Sequence, residues 1–438
     1  MVGDRKKIAT ILTACVLLIL ASASAIWIVF GIKKLERIMF LKVHHVNILN
    51  AMLPVGGVAG TIIFGTAAEL TGRKITLLAI AATYAIAFIV FQFVKSLTVA
   101  CIGRVIAGFA VGGSYIVLPI YIGEMSEPSS RGTMGCMMTI SSLIGYLVCY
   151  LIANYCTYTI YNVVAIALSL VFILTFIWIG VESPYYFLRR QQDEDQTDIT
   201  HFENGNNIHR LLYFREQKFM TCCRSAVWIK SLMMMSLLIL IHHFSGVSMI
   251  PILLQYVASY LGSRNFSLDQ KIILIISVGL ELVGTIVCTL LVDKLGRKPC
   301  LIISTVCIAL FYAPMAILNA IRTKYLDVNQ VPALTILFLV MFLIFFNCGI
   351  APIPRILLGE IFPMKIKMFA AAYIVSLQQI SVFIVTNYFQ QISYFIGYNT
   401  ILFIFFGSMT LAPILIHFGI FETKGKSLHE IQMVLKNY

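Results

Sequence analysis

Charge is what this 438-residue sequence has least of. Asp, Glu, Lys and Arg make up 12% of it, roughly half the share of a soluble domain. Water cannot be the solvent for most of such a surface. Acidic residues are the scarcer sign, 19 against 32 Lys plus Arg, for a formal net charge of +13. In a soluble chain that excess would point to nucleic acid. Here the bases sit between apolar runs, where they set orientation in a bilayer, and no nucleic-acid partner is expected. The 11 cysteines include no Cys-x-x-Cys pair, which removes the common zinc and dithiol frameworks. Cys15, Cys101, Cys136, Cys149, Cys288, Cys307 and Cys348 lie inside apolar runs and read as packing residues, while Cys222 and Cys223 fall in a basic loop. The loops hold no metal-ligand set, nucleotide loop or nucleophile arrangement. The chain is therefore not read as an enzyme, and neither a cofactor nor a metal is expected.

What the sequence has in abundance is apolar length: 60% of its residues are hydrophobic. Runs long enough to span a bilayer as a helix fall near 8–30, 46–68, 75–94, 99–121, 133–153 and 161–181. A polar stretch, 182–225, separates them from a second six near 226–256, 271–292, 299–321, 332–358, 368–390 and 399–421. The run 8–30 follows Arg5-Lys6-Lys7 and is too long for a signal-peptide core, so it reads as an anchor that stays. The expected fold is an all-α membrane protein of 12 transmembrane helices in two six-helix bundles. Its divisions are 1–181, a linker at 182–225, 226–421, and a tail at 422–438.

An even number of spans puts both termini on one side. Lys and Arg in the termini and alternate loops number 20, against 8 in the other loops. The larger set belongs in the cytoplasm. The sequon at Asn265, a candidate glycosylation site, then falls outside.

The two halves repeat. Glu-Leu-Thr-Gly-Arg-Lys at 69–74 recurs as Asp-Lys-Leu-Gly-Arg-Lys at 293–298; Glu124…Arg131 recurs as Glu360…Lys367; Val-Glu-Ser-Pro at 181–184 answers Phe-Glu-Thr-Lys at 421–424. Three motifs in the same order between the same helices indicate parallel half-repeats. Glu124 and Glu360 lie at helix ends in a partly dehydrated layer, where carboxylates need cationic partners; Arg131, Arg73, Lys367 and Arg297 are the candidates. With Glu182 and Glu422 they form an expected cytoplasmic gate, a bistable latch that breaks when the cavity opens inward.

These residues resemble the sugar-porter family of the major facilitator superfamily, which includes facilitated glucose transporters and insect trehalose transporters. The resemblance is carried by Gly103-Arg104…Gly108…Pro119…Gly123-Glu124…Arg131-Gly132, by Gly349-Ile-Ala-Pro352-Ile-Pro354…Gly359-Glu360-Ile-Phe-Pro363, and by Glu422-Thr-Lys-Gly-Lys-Ser-Leu-His-Glu-Ile431. It implies the major facilitator fold, alternating access, a small-molecule solute bound between the halves, a plasma-membrane location with both termini cytoplasmic, short helices in the linker, and a monomer working in the lipid bilayer.

The match departs from the family where the resemblance puts the solute. His242 and His243 replace a pair of glutamines, Ser248 an asparagine, Arg355 a tryptophan, Gln378-Gln379 an Asn-Trp pair, and Thr139 a glutamine. Tyr185 replaces the arginine that would have partnered Glu182. Glu281 stands where the family has an amide, 12 residues before Asp293, hence about 18 Å up the helix and near the middle of the bilayer. A carboxylate there costs about 2.5–3.5 kcal/mol unless it faces the cavity, is paired or is protonated. His242, His243, Ser248, Glu281, Asn347, Arg355, Gln378, Gln379 and Thr139 form the expected solute site. Three readings stay open: a transporter for a sugar (a hexose or trehalose-like disaccharide), one for a charged or zwitterionic solute, and a non-transporting sensor in which Glu281 and Arg355 lock each other. The absence of a carboxylate from 8–30 favours facilitated diffusion over proton coupling.

Overall fold

A computed structural model describes residues 2–38, 40–187, 226–247, 250, 270–321, 331–363 and 367–437, and its elements are helices. In chain order they are α1 (Val2–Glu36), α2 (Val43–Leu70), α3 (Arg73–Gln92), α4 (Leu97–Met125), α5 (Arg131–Tyr155), α6 (Tyr158–Ile179), α7 (Ala226–Phe244), α8 (Gln270–Leu295), α9 (Arg297–Ile321), α10 (Val331–Asn347), α11 (Ile353–Glu360), α12 (Lys367–Ile396), α13 (Tyr398–Gly419) and α14 (Leu428–Asn437). Among the described residues, 11 helices are long and apolar enough to cross a membrane. A backbone in hydrocarbon must satisfy its own hydrogen bonds, and an unbroken helix does so. The outer faces carry large apolar side chains in the open, Trp178 at 84% exposure and Phe418 at 74%, a surface suited to lipid. This is a multi-pass membrane protein.

The run expected as one span at 332–358 is broken. It divides into α10, with its apolar stretch Ile336–Asn347, and the short α11. Pro352 and Pro354 supply no amide hydrogens. The chain between closes with one wider, i→i−5 bond, Ala351 N–H to the Phe346 carbonyl at 3.0 Å, and one of ordinary helical span, Ile353 N–H to that of Gly349 at 3.1 Å. The run 226–256 is also shorter within the described residues. Helix α7 stops at Phe244, and Gly246 turns the chain at φ 84°. The hydroxyls of Tyr312 and Ser408 donate to the Ser245 and Phe244 carbonyls that this stop leaves free, at 2.8 and 2.7 Å. Linker residues 188–225, Ser248 and Asn265 lie outside the described residues.

Helices α2 and α4 approach closely because both carry glycine at the crossing. A methyl group on Gly60 would lie 2.1 Å from the Phe109 carbonyl oxygen, on Gly108 2.1 Å from that of Leu53, and on Gly112 2.0 Å from that of Gly57. Their counterparts α8 and α10 repeat the device at Gly284, 2.2 Å from the Ile344 carbonyl oxygen. Small residues let backbones meet where lipid gives no hydrophobic drive to association. Arg104 pins the same region: its buried guanidinium donates to the carbonyls of Leu49 at 3.1 Å and Ser24 at 2.7 Å, tying α4 to α2 and α1.

The halves meet along two seams, α2 against α12 and α5 against α8. Because α2 corresponds to α8 and α5 to α12, the seams are equivalent under the repeat. Substituting Gly112→Val should destabilise the detergent-solubilised protein by at least the 1–3 kcal/mol typical of overpacking, read as a lower melting temperature. Gly407→Ala, where a methyl group meets nothing within 4 Å, should leave it unchanged.

Candidate functional site

The basic motifs of both halves converge at one end of the bundle, where each half builds the same network. In the first, Arg73 Nε lies 3.2 Å from Glu124 Oε2, and Ser183 Oγ–H donates to the same carboxylate. Glu182 accepts the backbone N–H groups of Arg73 at 2.8 Å and Lys74 at 3.0 Å. In the second, Arg297 lies 2.9 Å from Glu360, and Thr423 Oγ1–H donates to Glu360 at 2.7 Å. Glu422 accepts the N–H groups of Arg297 at 3.0 Å and Lys298 at 2.9 Å. Glu182 and Glu422 thus cap the N-termini of α3 and α9, where unpaired amides and the helix dipole favour an anion. Gly72 and Gly296, at φ 95° and 109°, make the tight turns that aim those amides.

Several contacts at this end cross between halves. Lys367 Nζ lies 3.9 Å from Glu124 Oε1. Asp293 accepts from the backbone N–H groups of Gly132 and Thr133 at 3.1 and 2.7 Å and from the Thr133 hydroxyl at 2.7 Å. Arg131 donates to the Lys426 carbonyl at 3.3 Å. The backbones touch as well: a methyl group on Gly359 would sit 2.4 Å from the Pro119 carbonyl oxygen. The two halves are closed against each other here.

Beyond this closure lies a narrow cleft with a volume of about 30 Å³, room for about two water molecules in the closed arrangement. Its polar lining is Tyr115 from α4, His242 and His243 from α7, Arg355 from α11 and Gln378 from α12. The Arg355 guanidinium lies 5.2 Å from the Tyr115 ring centre, a cation–π contact between the halves. Among the described residues, the buried His243 Nε2 and Thr139 Oγ1 have no hydrogen-bond partner. Glu281 stands mid-way along α8 against the Asn347 side chain, in electrostatic reach of the Tyr146 and Tyr150 hydroxyls of α5.

Residues 10–435 match the family model described as "Sugar (and other) transporter". The chain belongs to this family. It is 27% identical over 397 residues to the facilitated trehalose transporter Tret1 of Aedes aegypti, covering 88% of this chain and 49% of that protein. It is 28% identical over 398 residues to Tret1 of Polypedilum vanderplanki, covering 88% and 78%. The chain therefore spans about half the length of the first relative and about three quarters of the second. Among solved structures it superposes on the E. coli proton:xylose symporter XylE bound to 6-bromo-6-deoxy-D-glucose, with a TM-score of 0.79 at 20% identity over 99% of this chain and 100% of that one, a likeness of fold.

For this family member the structure draws together most of the residues expected from sequence, but with different partners. Of the four cations expected as partners of the two glutamates, Arg73 and Lys367 lie against Glu124 and Arg297 against Glu360, while Arg131 donates to the Lys426 carbonyl instead. Glu182, expected to lack the arginine that Tyr185 replaces, is satisfied by backbone amides. His242, His243, Arg355 and Gln378 line the cleft. Gln379 turns instead to α2, where a methyl group on Gly57 would touch it at 2.9 Å. The expected Glu281–Arg355 lock is not formed: neither side chain belongs to an ion pair. Asp293, Ser183, Thr423 and Tyr115 were missed. The hydroxyl pair has a visible signal, since Ser183 and Thr423 each follow the repeated glutamate by one residue. At the α5–α8 seam, Cys136 Sγ and Cys288 Sγ are 3.9 Å apart and both are buried. Catalysed oxidation by copper phenanthroline in this closed arrangement should join them, which peptide mass spectrometry would detect as a linked pair. Two persistently free thiols would contradict the closure.

Proposed function

We propose that this chain carries a small polyhydroxylated solute, a sugar, across a membrane by alternating access and facilitated diffusion. The observation that carries this reading is a polar cleft between two repeated bundles, sealed at one end by a doubled ionic network. The names of the trehalose-transporting relatives and the sugar analogue held by the structural neighbour support a sugar. Gln378, His243 and Thr139 offer the fixed donors and acceptors that hydroxyl groups require. A site that hydrogen-bonds a solute rejects one lacking those groups. The non-transporting reading needed Glu281 and Arg355 to hold each other, and that pairing is missing.

In this reading the sealed end faces the cytoplasm together with both termini, by the Lys and Arg excess of 20 over 8, and the membrane is the plasma membrane. Residues 1–181 and 226–421 move as two bundles in a monomer, with 182–225 and 422–438 on the cytoplasmic side. Arg73, Glu124, Arg131, Glu182, Arg297, Glu360, Lys367 and Glu422 form the gate. Closure keeps the cleft accessible from outside; opening inward must separate Lys367 from Glu124 and Asp293 from Thr133.

Two experiments follow. Purified protein in liposomes should take up glucose or trehalose with a rate indifferent to a pH gradient; uptake that appears only with the gradient would replace facilitated diffusion by proton coupling. Replacing Glu124→Gln leaves Arg73 and Lys367 without their carboxylate. Breaking a buried pair costs about 3–5 kcal/mol, so the closed state should lose population. Maleimide labelling of Cys136 and Cys288 from the cytoplasmic side should rise at least tenfold; unchanged labelling would count against the gate.

A further inference from the structure

Most buried cations in this protein are answered. Arg73 and Arg297 have carboxylates within 3.2 and 2.9 Å, Lys367 has Glu124 at 3.9 Å, and Arg104 has two backbone carbonyls. Arg131, though it lacks an ion pair, donates to the Lys426 carbonyl. Arg355 is half-buried and, among the described residues, has neither a carboxylate nor a carbonyl as partner. Its one contact is the face of Tyr115, and it lines the cleft in which the solute is proposed to bind.

The cleft offers no compensation from its other walls. Its lining includes Arg355, His242 and His243 but no Asp or Glu. The nearby acid, Glu281, is not part of that lining; it is turned to Asn347 on α10. The planar fork of a guanidinium suits a carboxylate, which it grips through two parallel hydrogen bonds. In most of the protein that anion is a side chain. Among the described residues Arg355 has no such side chain as partner, and it lines the solute space.

We infer that the transported solute is a sugar acid, a polyhydroxylated molecule bearing one carboxylate, and that Arg355 binds that carboxylate. This rests on the transport reading above and narrows its substrate class. The Tyr115 ring supports the guanidinium at 5.2 Å from its centre. The unpartnered His243 Nε2 and the Gln378 amide remain for the hydroxyls. A single arginine balances a single negative charge. A phosphorylated sugar, with nearly two charges at neutral pH, would be under-neutralised.

The test is uptake by liposomes containing the full chain, with labelled glucose, glucuronate and glucose 6-phosphate, for the wild type and for Arg355→Gln and Arg355→Lys. Wild type should prefer glucuronate to the other two. Arg355→Gln should lower the glucuronate-to-glucose uptake ratio by roughly 10- to 100-fold, the weight of a hydrogen bond to a charged group. Arg355→Lys, which keeps the charge but not the fork, should fall between. Should Arg355→Gln not fold, stabilisation of the wild type against heating by glucuronate and not by glucose carries the same decision. Glucose carried in preference to glucuronate, or a ratio that Arg355→Gln does not move, overturns the sugar-acid assignment and leaves the transport reading standing. Preference for glucose 6-phosphate overturns it in favour of a dianion. A wild type that moves none of the three overturns the sugar-acid assignment, and trehalose uptake by the same liposomes then decides the transport reading.

Discussion

Glu124 is held at once by a cation from each half of the chain, Arg73 at 3.2 Å and Lys367 at 3.9 Å. Much of the closed arrangement leans on this carboxylate. It is 4% exposed, so its charge would be costly without partners, and those partners bring α3, α4 and α12 to one point. The same crowding makes the closure reversible. Lys367 Nζ has no hydrogen bond of its own and is held by charge alone, at a distance beyond a direct hydrogen bond. At Glu124 the contact between halves is looser than the one within the first half, whereas Asp293 holds Thr133 across the halves at 2.7 Å.

The close approach of the backbones is the other half of the design. Glycines at the α2–α4 and α8–α10 crossings make each bundle firm. Across the halves, Gly123 and Gly359 bring α4 and α11 together only near the sealed end. Firm bundles and a local meeting between them suit rocking about a fixed site rather than internal rearrangement.

The helices and their repeat were legible in the sequence because lipid imposes length and apolarity on every crossing, and because motifs in both halves fall between corresponding helices. What was not legible has physical causes. The break after Asn347 depends on two prolines inside an apolar run whose hydropathy does not change. Glu182 seemed to need a side-chain cation, because amides at a helix N-terminus have no letter in a sequence. Depth along α8 placed Glu281 correctly, but depth does not give azimuth, and it is azimuth that turns Glu281 toward Asn347 and leaves Arg355 on Tyr115. Gln378 and Gln379 show the same limit: adjacent letters on a helix point about 100° apart, so one reaches the cleft and the other packs on α2.

The two ionic networks also bear on how the chain is assembled. In the first half, the residues that bind Glu124 and Glu182 are Arg73, Lys74 and Ser183, so its network closes within itself. Synthesis runs from the N-terminus, and this half can lock its charges while the second is still on the ribosome. Lys367 arrives later, at a carboxylate already occupied, and adds itself without displacing Arg73. The first bundle serves as a finished template against which the second is docked.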